Sequence, residues 1–289
     1  AVTTRGSTSA DAAPRDVDPT PGDATPGDAT PGDATPGDAT PGDAAPPAAV
    51  TTVLRPVGAD SEDPDTTLAV VDLNRTQWAE RAATYGGTRN SLFTALVGGL
   101  LRETGYPMSP DGTRICIAVS NRSDGDDRAN ASGGVWIRVP GPIGPAVGLT
   151  DIRALSKAAF AKYAATDDSV YHHLQSVARL LPDRVLGKMM KSIAGPDTTV
   201  SNLGTAPPSA LELGDQVAES FAIRAIMQGR SAQDRRSQGP ALAAWAVEYD
   251  DKVTITFFGI HPDYAGDTET LRALVSAELT RWSLDHSFW

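Results

Sequence analysis

The stretch Thr198-Thr199-Val200-Ser201-Asn202-Leu203-Gly204 decides how this chain is read. Closed by Gly204, with Pro207 shortly after, it predicts a strand over Thr198–Leu203. Ser201 and Asn202 put two polar side chains near its end. Polar side chains at such a place serve backbone groups or a ligand, and the strand alone does not choose between the two.

Downstream, a strand is predicted over Val217–Met227. A hairpin follows, Ala241–Tyr249 and Lys252–Phe258 across Asp250-Asp251, in which Trp245, Val247 and Tyr249 alternate with smaller or polar neighbours. The last helix, Thr268–Trp282, takes Asp267 as its cap. Upstream, Leu68–Leu73 reads as a strand and Arg75–Tyr85 as a helix ended by Gly86-Gly87. A helix near Asn90–Glu103 carries apolar residues at 92, 93, 96, 97, 100 and 101, a wide buried stripe. Strands at Arg114–Ser120 and Gly134–Val139 lead into the loop Pro140–Gly148. Three helices are then predicted, Thr150–Ala165, Ser169–Leu181 and Pro182–Ile193, the first with Ile152, Leu155, Ala159, Phe160 and Tyr163 on one face. The order is that of an α/β layer, a mixed sheet covered by helices.

The 289 residues are not of one composition. Residues 1–66 are dominated by Pro, Ala, Thr, Asp and Gly and include five Thr-Pro-Gly-Asp-Ala repeats over Thr20–Ala44. A period of five excludes collagen, and nothing larger than an alanine methyl is there to bury in the repeats. This segment is expected to be disordered, a spacer with no site of its own. It carries 12 acidic and 3 basic residues, so −9 of the net charge of −11 belongs to it. The body, residues 67–289, is close to neutral. It has no basic stripe for nucleic acid and no polybasic membrane patch. No apolar run reaches the ~18 residues of a membrane span, and there is no signal-peptide core. The lone Cys116 sits in an apolar run and reads as a buried structural thiol; no disulfide framework is available within one chain. A cytoplasmic location is expected.

The ordered set of motifs resembles a known family. A helix "T-x-N-x-x-x-x-A-L" is met as Thr88, Asn90, Ala95 and Leu96, and the following strand ends in Arg at Ile115–Arg122. Then come a glycine-initiated strand (Gly133-Gly134-Val135-Trp136-Ile137), a "Leu-Pro" (Leu181-Pro182) and the "SNLG" of Ser201–Gly204. Together these resemble the C-terminal half of the condensation-domain superfamily. Its nearest branches are the wax ester synthase/diacylglycerol acyltransferase-like and polyketide-associated acyltransferases. The resemblance spans residues 68–289 and implies one half of a chloramphenicol-acetyltransferase-like fold.

The resemblance implies an O-acyltransferase half that moves an acyl group from a thioester, on CoA or a carrier, to a hydroxyl acceptor. In that family the base is a His of a His-His-x-x-x-Asp-Gly motif in the first half, and this chain lacks it. It implies no catalytic residue here. Arg122 falls where the family pairs an Arg with the motif Asp; Ser201, Asn202 and Gly204 fall on the strand facing the tunnel. The first half would be upstream in the same gene or a separate polypeptide. The chain begins with Ala1, which leaves open a longer precursor. The alternative is a non-catalytic acyl- or protein-binding module, and a homodimer would cover the face that meets the first half.

The residues themselves offer no substitute base. His172-His173 is followed by Val177-Ala178 where Asp and Gly are needed, and both read as surface imidazoles. His261 reads as a turn residue and His286 as exposed. Arg122 reads equally well as a loop residue serving Asp124, Asp126 or Asp127. No Gly-x-Ser-x-Gly elbow, phosphate loop or His-Glu-x-x-His is present, so no cofactor or metal is expected. A calcium loop at Asp124–Asp127 fails because its twelfth position is Val135.

Overall fold

The computed structural model describes residues 67–123, 125–127, 131–165, 195–213, 215–224, 230–237 and 239–289. The predicted spacer 1–66, the helices expected at 169–193, His172, His173, Leu181-Pro182 and Asp124 lie outside the described residues.

Nine strands are present among the described residues: β1 Leu68–Asn74, β2 Thr113–Ser120, β3 Ser132–Val139, β4 Thr198–Thr205, β5 Glu212–Leu213, β6 Gln216–Val217, β7 Leu242–Tyr249, β8 Lys252–Gly259 and β9 His286–Phe288. The helices are α1 Arg75–Thr84, α2 Arg89–Glu103, α3 Thr150–Ala164, α4 Ala232–Ser237, α5 Pro262–Ala265 and α6 Thr268–Arg281. Seven strands form one sheet in the order β3-β2-β4-β7-β8-β1-β9, and β5-β6 make a separate ribbon. The centre, β2, β4 and β7, is parallel; every other pairing in the sheet is antiparallel. The mixed α/β sheet expected from the sequence is the one observed.

Local chemistry sets the helix ends. Asn74 Oδ1 accepts from Gln77 N at 3.0 Å, and Gly86 takes φ +74° just beyond the end of α1. Thr88 and Ser91 close a capping box at the start of α2, and Asp267 Oδ2 accepts from Thr270 N at 2.7 Å to start α6.

Strand register separates the two faces of the sheet. One row runs Val135–Ile117–Val200–Ala244–Phe257–Ala69, all buried and all in the main core under the helices. The neighbouring row, Trp136–Cys116–Thr199–Ala243–Phe258–Leu68, faces the other way, and there Trp136 is 51% exposed. The helix predicted with one wide stripe is instead buried on every side from Ser91 to Leu101. Strands lie on one side of α2, α1, α3 and α6 flank it, and Ile143 meets Gly98, so no face of α2 is left for water.

Two expectations are corrected. Of the strand expected at 217–227 only Val217 is in a strand, as the end of Gln216–Val217, and residues 218–224 join no ladder; 225–227 lie outside the described residues. Phe221 instead packs edge-on against Tyr249, with centroids 6.4 Å apart. Its N–H donates to the Tyr249 hydroxyl at 3.2 Å. That hydroxyl donates in turn to Thr254, which donates to the Asp72 carboxylate. Cys116 is half-buried rather than buried, with its thiol pushed up by desolvation and seated over Gly134.

A buried acid ties α6 to α2. The Glu278 carboxylate lies against Gly99, where a Cβ would come within 2.4 Å of Oε1. It accepts from Trp282 Nε1 at 2.8 Å and pairs with Arg281 at 2.7 Å. Burial dominates and raises its pKa. The folded state therefore favours the protonated acid, and this contribution is full below the ordinary Glu pKa and is lost as pH rises through the raised one. Glu278→Gln is expected to gain stability relative to the parent as pH rises above the ordinary Glu range. Urea unfolding of both proteins over that rise checks it. A difference independent of pH would contradict it.

Candidate functional site

Ligand sites of open sheets with parallel strands lie beyond the strands' carboxyl ends. Here those are the ends of β2, β4 and β7, and they gather most of the polar residues singled out above.

β2 runs out into Asn121 and Arg122. Asn121 N donates to Ala131 O at 2.6 Å, so the ladder closes the base of the loop between them. The Asn121 side-chain amide meets the Tyr163 hydroxyl from α3, with Nδ2 at 2.8 Å and Oδ1 at 3.0 Å. Gly133 makes room for this pair, since a Cβ there would come within 1.9 Å of the Tyr163 oxygen. Arg122 is exposed. Its Nη1 donates to the Asp126 carbonyl at 3.0 Å, and among the described residues no carboxylate pairs with it.

β4 ends in a turn of its own making. Asn202 Oδ1 accepts from Gly204 N at 2.9 Å, Gly204 takes φ +70°, and the pairing with β7 shifts register between Asn202 and Thr205. Asn202 thus serves the backbone. Ser201 and Asn202 do not share a face: Asn202 pairs with Ala246 of the main core and Ser201 with Trp245 of the opposite face. Strand alternation requires this. Both are half-buried, and Leu203 is 44% exposed.

β7 brings Glu248, a buried carboxylate, onto the helix side. Arg89 Nη1 at 2.7 Å and Arg75 Nε at 3.1 Å neutralise it. One position further into α2, Asn90 Oδ1 is buried without a hydrogen-bond partner. The sequence reading missed Glu248 and its two arginines. The available signal was an acid on the core-facing side of an otherwise apolar strand.

The described histidines lie elsewhere. His261 caps α5, its Nδ1 accepting from Asp263 N at 3.3 Å, next to Tyr106 and Tyr264 at the amino end of β7. Burial holds its imidazole below the usual range. It is the turn residue expected. His286, expected exposed, is half-buried in β9. Among the described residues no group of His, Cys, Asp and Glu could hold a metal, and no helix is long and apolar enough to cross a membrane. The arrangement offers hydrogen-bond donors and acceptors and the exposed guanidinium of Arg122, with no histidine among its described residues.

No family model and no curated protein sequence matches this chain. Among solved structures, several are similar to this chain. The condensation domain of the Monacolin K polyketide synthase MokA gives a TM-score of 0.46 at 13% identity, over 78% of this chain and 48% of that one. The wax ester synthase/diacylglycerol acyltransferase of Marinobacter aquaeolei VT8 gives 0.44 at 12%, over 75% and 48%. The nonribosomal peptide synthetase FmoA3 gives 0.45 at 17%, over 76% and 23%. The chain spans about half the length of the first two and about a quarter of the third.

Proposed function

We propose that this chain is the C-terminal half of an O-acyltransferase of lipid metabolism, located in the cytoplasm. It forms one wall of the acyl tunnel and acts on a thioester donor and a hydroxyl acceptor once a His-His-x-x-x-Asp-Gly segment completes it. Arg122 carries the reading: an exposed guanidinium at the carboxyl end of a central strand, bonded to a backbone carbonyl and without a carboxylate among the described residues. An arginine so placed can take the motif Asp of the other half. Ser201, Asn202 and Gly204 then line the same end, Asn202 and Gly204 by shaping the strand's exit and Ser201 from the opposite face. The base for transfer comes from the missing segment, so the chain alone does not move an acyl group from a thioester to an alcohol.

The test mixes this chain with a polypeptide carrying the motif and follows acyl transfer from acyl-CoA to a primary alcohol. Activity is expected only in the mixture. Arg122→Ala should lower it about tenfold or more, equivalent to about 1.4 kcal/mol in the barrier. Arg122→Lys should recover part of the loss. Turnover by the chain alone, or none in the mixture, would overturn the proposal.

The sheet's outer face favours a second reading, a non-catalytic binding module. Trp136 and Leu203 are exposed there and Trp245 is half-buried. A homodimer or a bound acyl chain would cover it. Sedimentation showing a monomer that ignores acyl-CoA would count against this.

A further inference from the structure

At the edge of the sheet far from β3, a serine and a histidine outside the site above face each other. Ser276 comes from α6 and His286 opens β9; both are half-buried, so small molecules reach them. Ser276 Oγ lies 2.9 Å from His286 Nε2, and His286 Nδ1 lies 3.1 Å from the Leu284 carbonyl. A carbonyl brings no proton, so Nδ1 must donate. That fixes the neutral tautomer with its bare lone pair on Nε2, and the Ser276 hydroxyl donates to it. A hydroxyl aimed at an imidazole that a third group orients is the arrangement of an activated nucleophile.

Regular structure holds both partners. His286 pairs with Leu73 across the β1–β9 ladder, Leu284 N donates to Leu279 O at 3.0 Å, and Asp285 N donates to Gln77 at 2.9 Å. The surroundings are aromatic and cationic. Phe288 stands edge-on to the imidazole with centroids 5.6 Å apart. The Arg272 guanidinium, one helical turn before Ser276, lies 4.3 Å over that ring and donates to Trp289 O at 3.1 Å. Trp289 is half exposed beside them.

We propose that Ser276 and His286 form a separate nucleophilic site that accepts acyl groups from small activated esters, aryl esters above all. Ser276 Oγ attacks the ester carbonyl carbon as its proton passes to Nε2. The bond to the aryloxy group breaks and the phenol leaves with the proton from the imidazolium. The acyl group remains as an ester on Oγ. Water, deprotonated by the same Nε2, then releases the carboxylic acid and restores the serine. The aromatic pair meets the aryl group, and Arg272 supplies positive charge to the developing oxyanion. None of the residues at the carboxyl ends of β2, β4 and β7 takes part, so this site stands or falls apart from the transferase reading.

The full chain is incubated with 4-nitrophenyl acetate. Nitrophenolate release is followed, and the acetyl group is mapped on the tryptic peptide Ala273–Arg281, which holds Ser276. A burst of about one equivalent with acetyl on Ser276 is expected. Ser276→Ala should abolish it, and His286→Gln should slow it about a hundredfold. Thermal melting of each variant reports folding, and the wild-type burst and acetyl map decide the matter if a variant does not fold. Acetyl confined to lysines, or a rate indifferent to His286→Gln in a folded variant, would overturn the proposal.

Discussion

Replacing Asp197 by alanine is expected to lower the unfolding free energy by about 3–5 kcal/mol, the range for breaking a buried ion pair from one side. Asp197 is 1% exposed, just ahead of β4. Its carboxylate accepts from Arg114 N at 2.8 Å, Nη2 at 2.6 Å and Nε at 3.2 Å, and these bonds hold the guanidinium above its usual range. Its own backbone N–H donates to Arg114 O and its carbonyl accepts from Ala241 N. One residue therefore ties the amino ends of β2, β4 and β7 together. Alanine strands the Arg114 N–H in the interior and removes the partner of a half-sheltered guanidinium. Asp197→Asn keeps an acceptor and should cost less than half as much. Urea unfolding of the three proteins checks this, and a loss below about 1 kcal/mol for alanine would contradict it.

The second large effect is expected at Trp282. This side chain is fully buried at the end of α6 and stands edge-on to Tyr85, with centroids 5.0 Å apart. Trp282→Ala should cost about 3–5 kcal/mol through lost burial and the cavity left behind. Trp282→Phe separates two parts of that. It keeps most of the apolar volume but withdraws the indole N–H from Glu278, a loss of about 1–3 kcal/mol. Combined with Glu278→Gln, the phenylalanine change should cost less than the two single changes predict, because both act on the same buried carboxylate. Strict additivity would mean that the indole bond does not contribute.

The regular elements were legible because their periodicity was long. β1, α1, α2, β2, β3, α3, β4, the β7–β8 hairpin and α6 each run for seven or more residues, enough for caps and alternation to speak. β9 has three residues and no pattern of its own, and it exists only as a partner for β1. The apolar residues after Val217 were read as a strand, whereas Phe221 is held by one tyrosine. At the candidate site, Asn202 and Gly204 were legible as a strand exit. That Ser201 turns from Asn202 follows from strand geometry, but which face is covered depends on helices distant in sequence. The triad of Glu248, Arg75 and Arg89 joins residues more than 150 positions apart, and the pairing of Ser276 with His286 rests on a reversal at Ser283. Local patterns do not encode either meeting.

The sheet order has a consequence for how the protein is made. Among the described strands β1 leaves the ribosome first, yet its neighbours are β8 and β9, the last two of them. About 185 residues separate the end of β1 from the end of β8. At roughly 5–20 residues per second, β1 waits about 10–40 s for its first ladder partner. Throughout that interval Ala69, Val71 and Leu73 lack the partner strand of their ladder, so nascent chains of this protein should depend on holding factors until β8 has emerged.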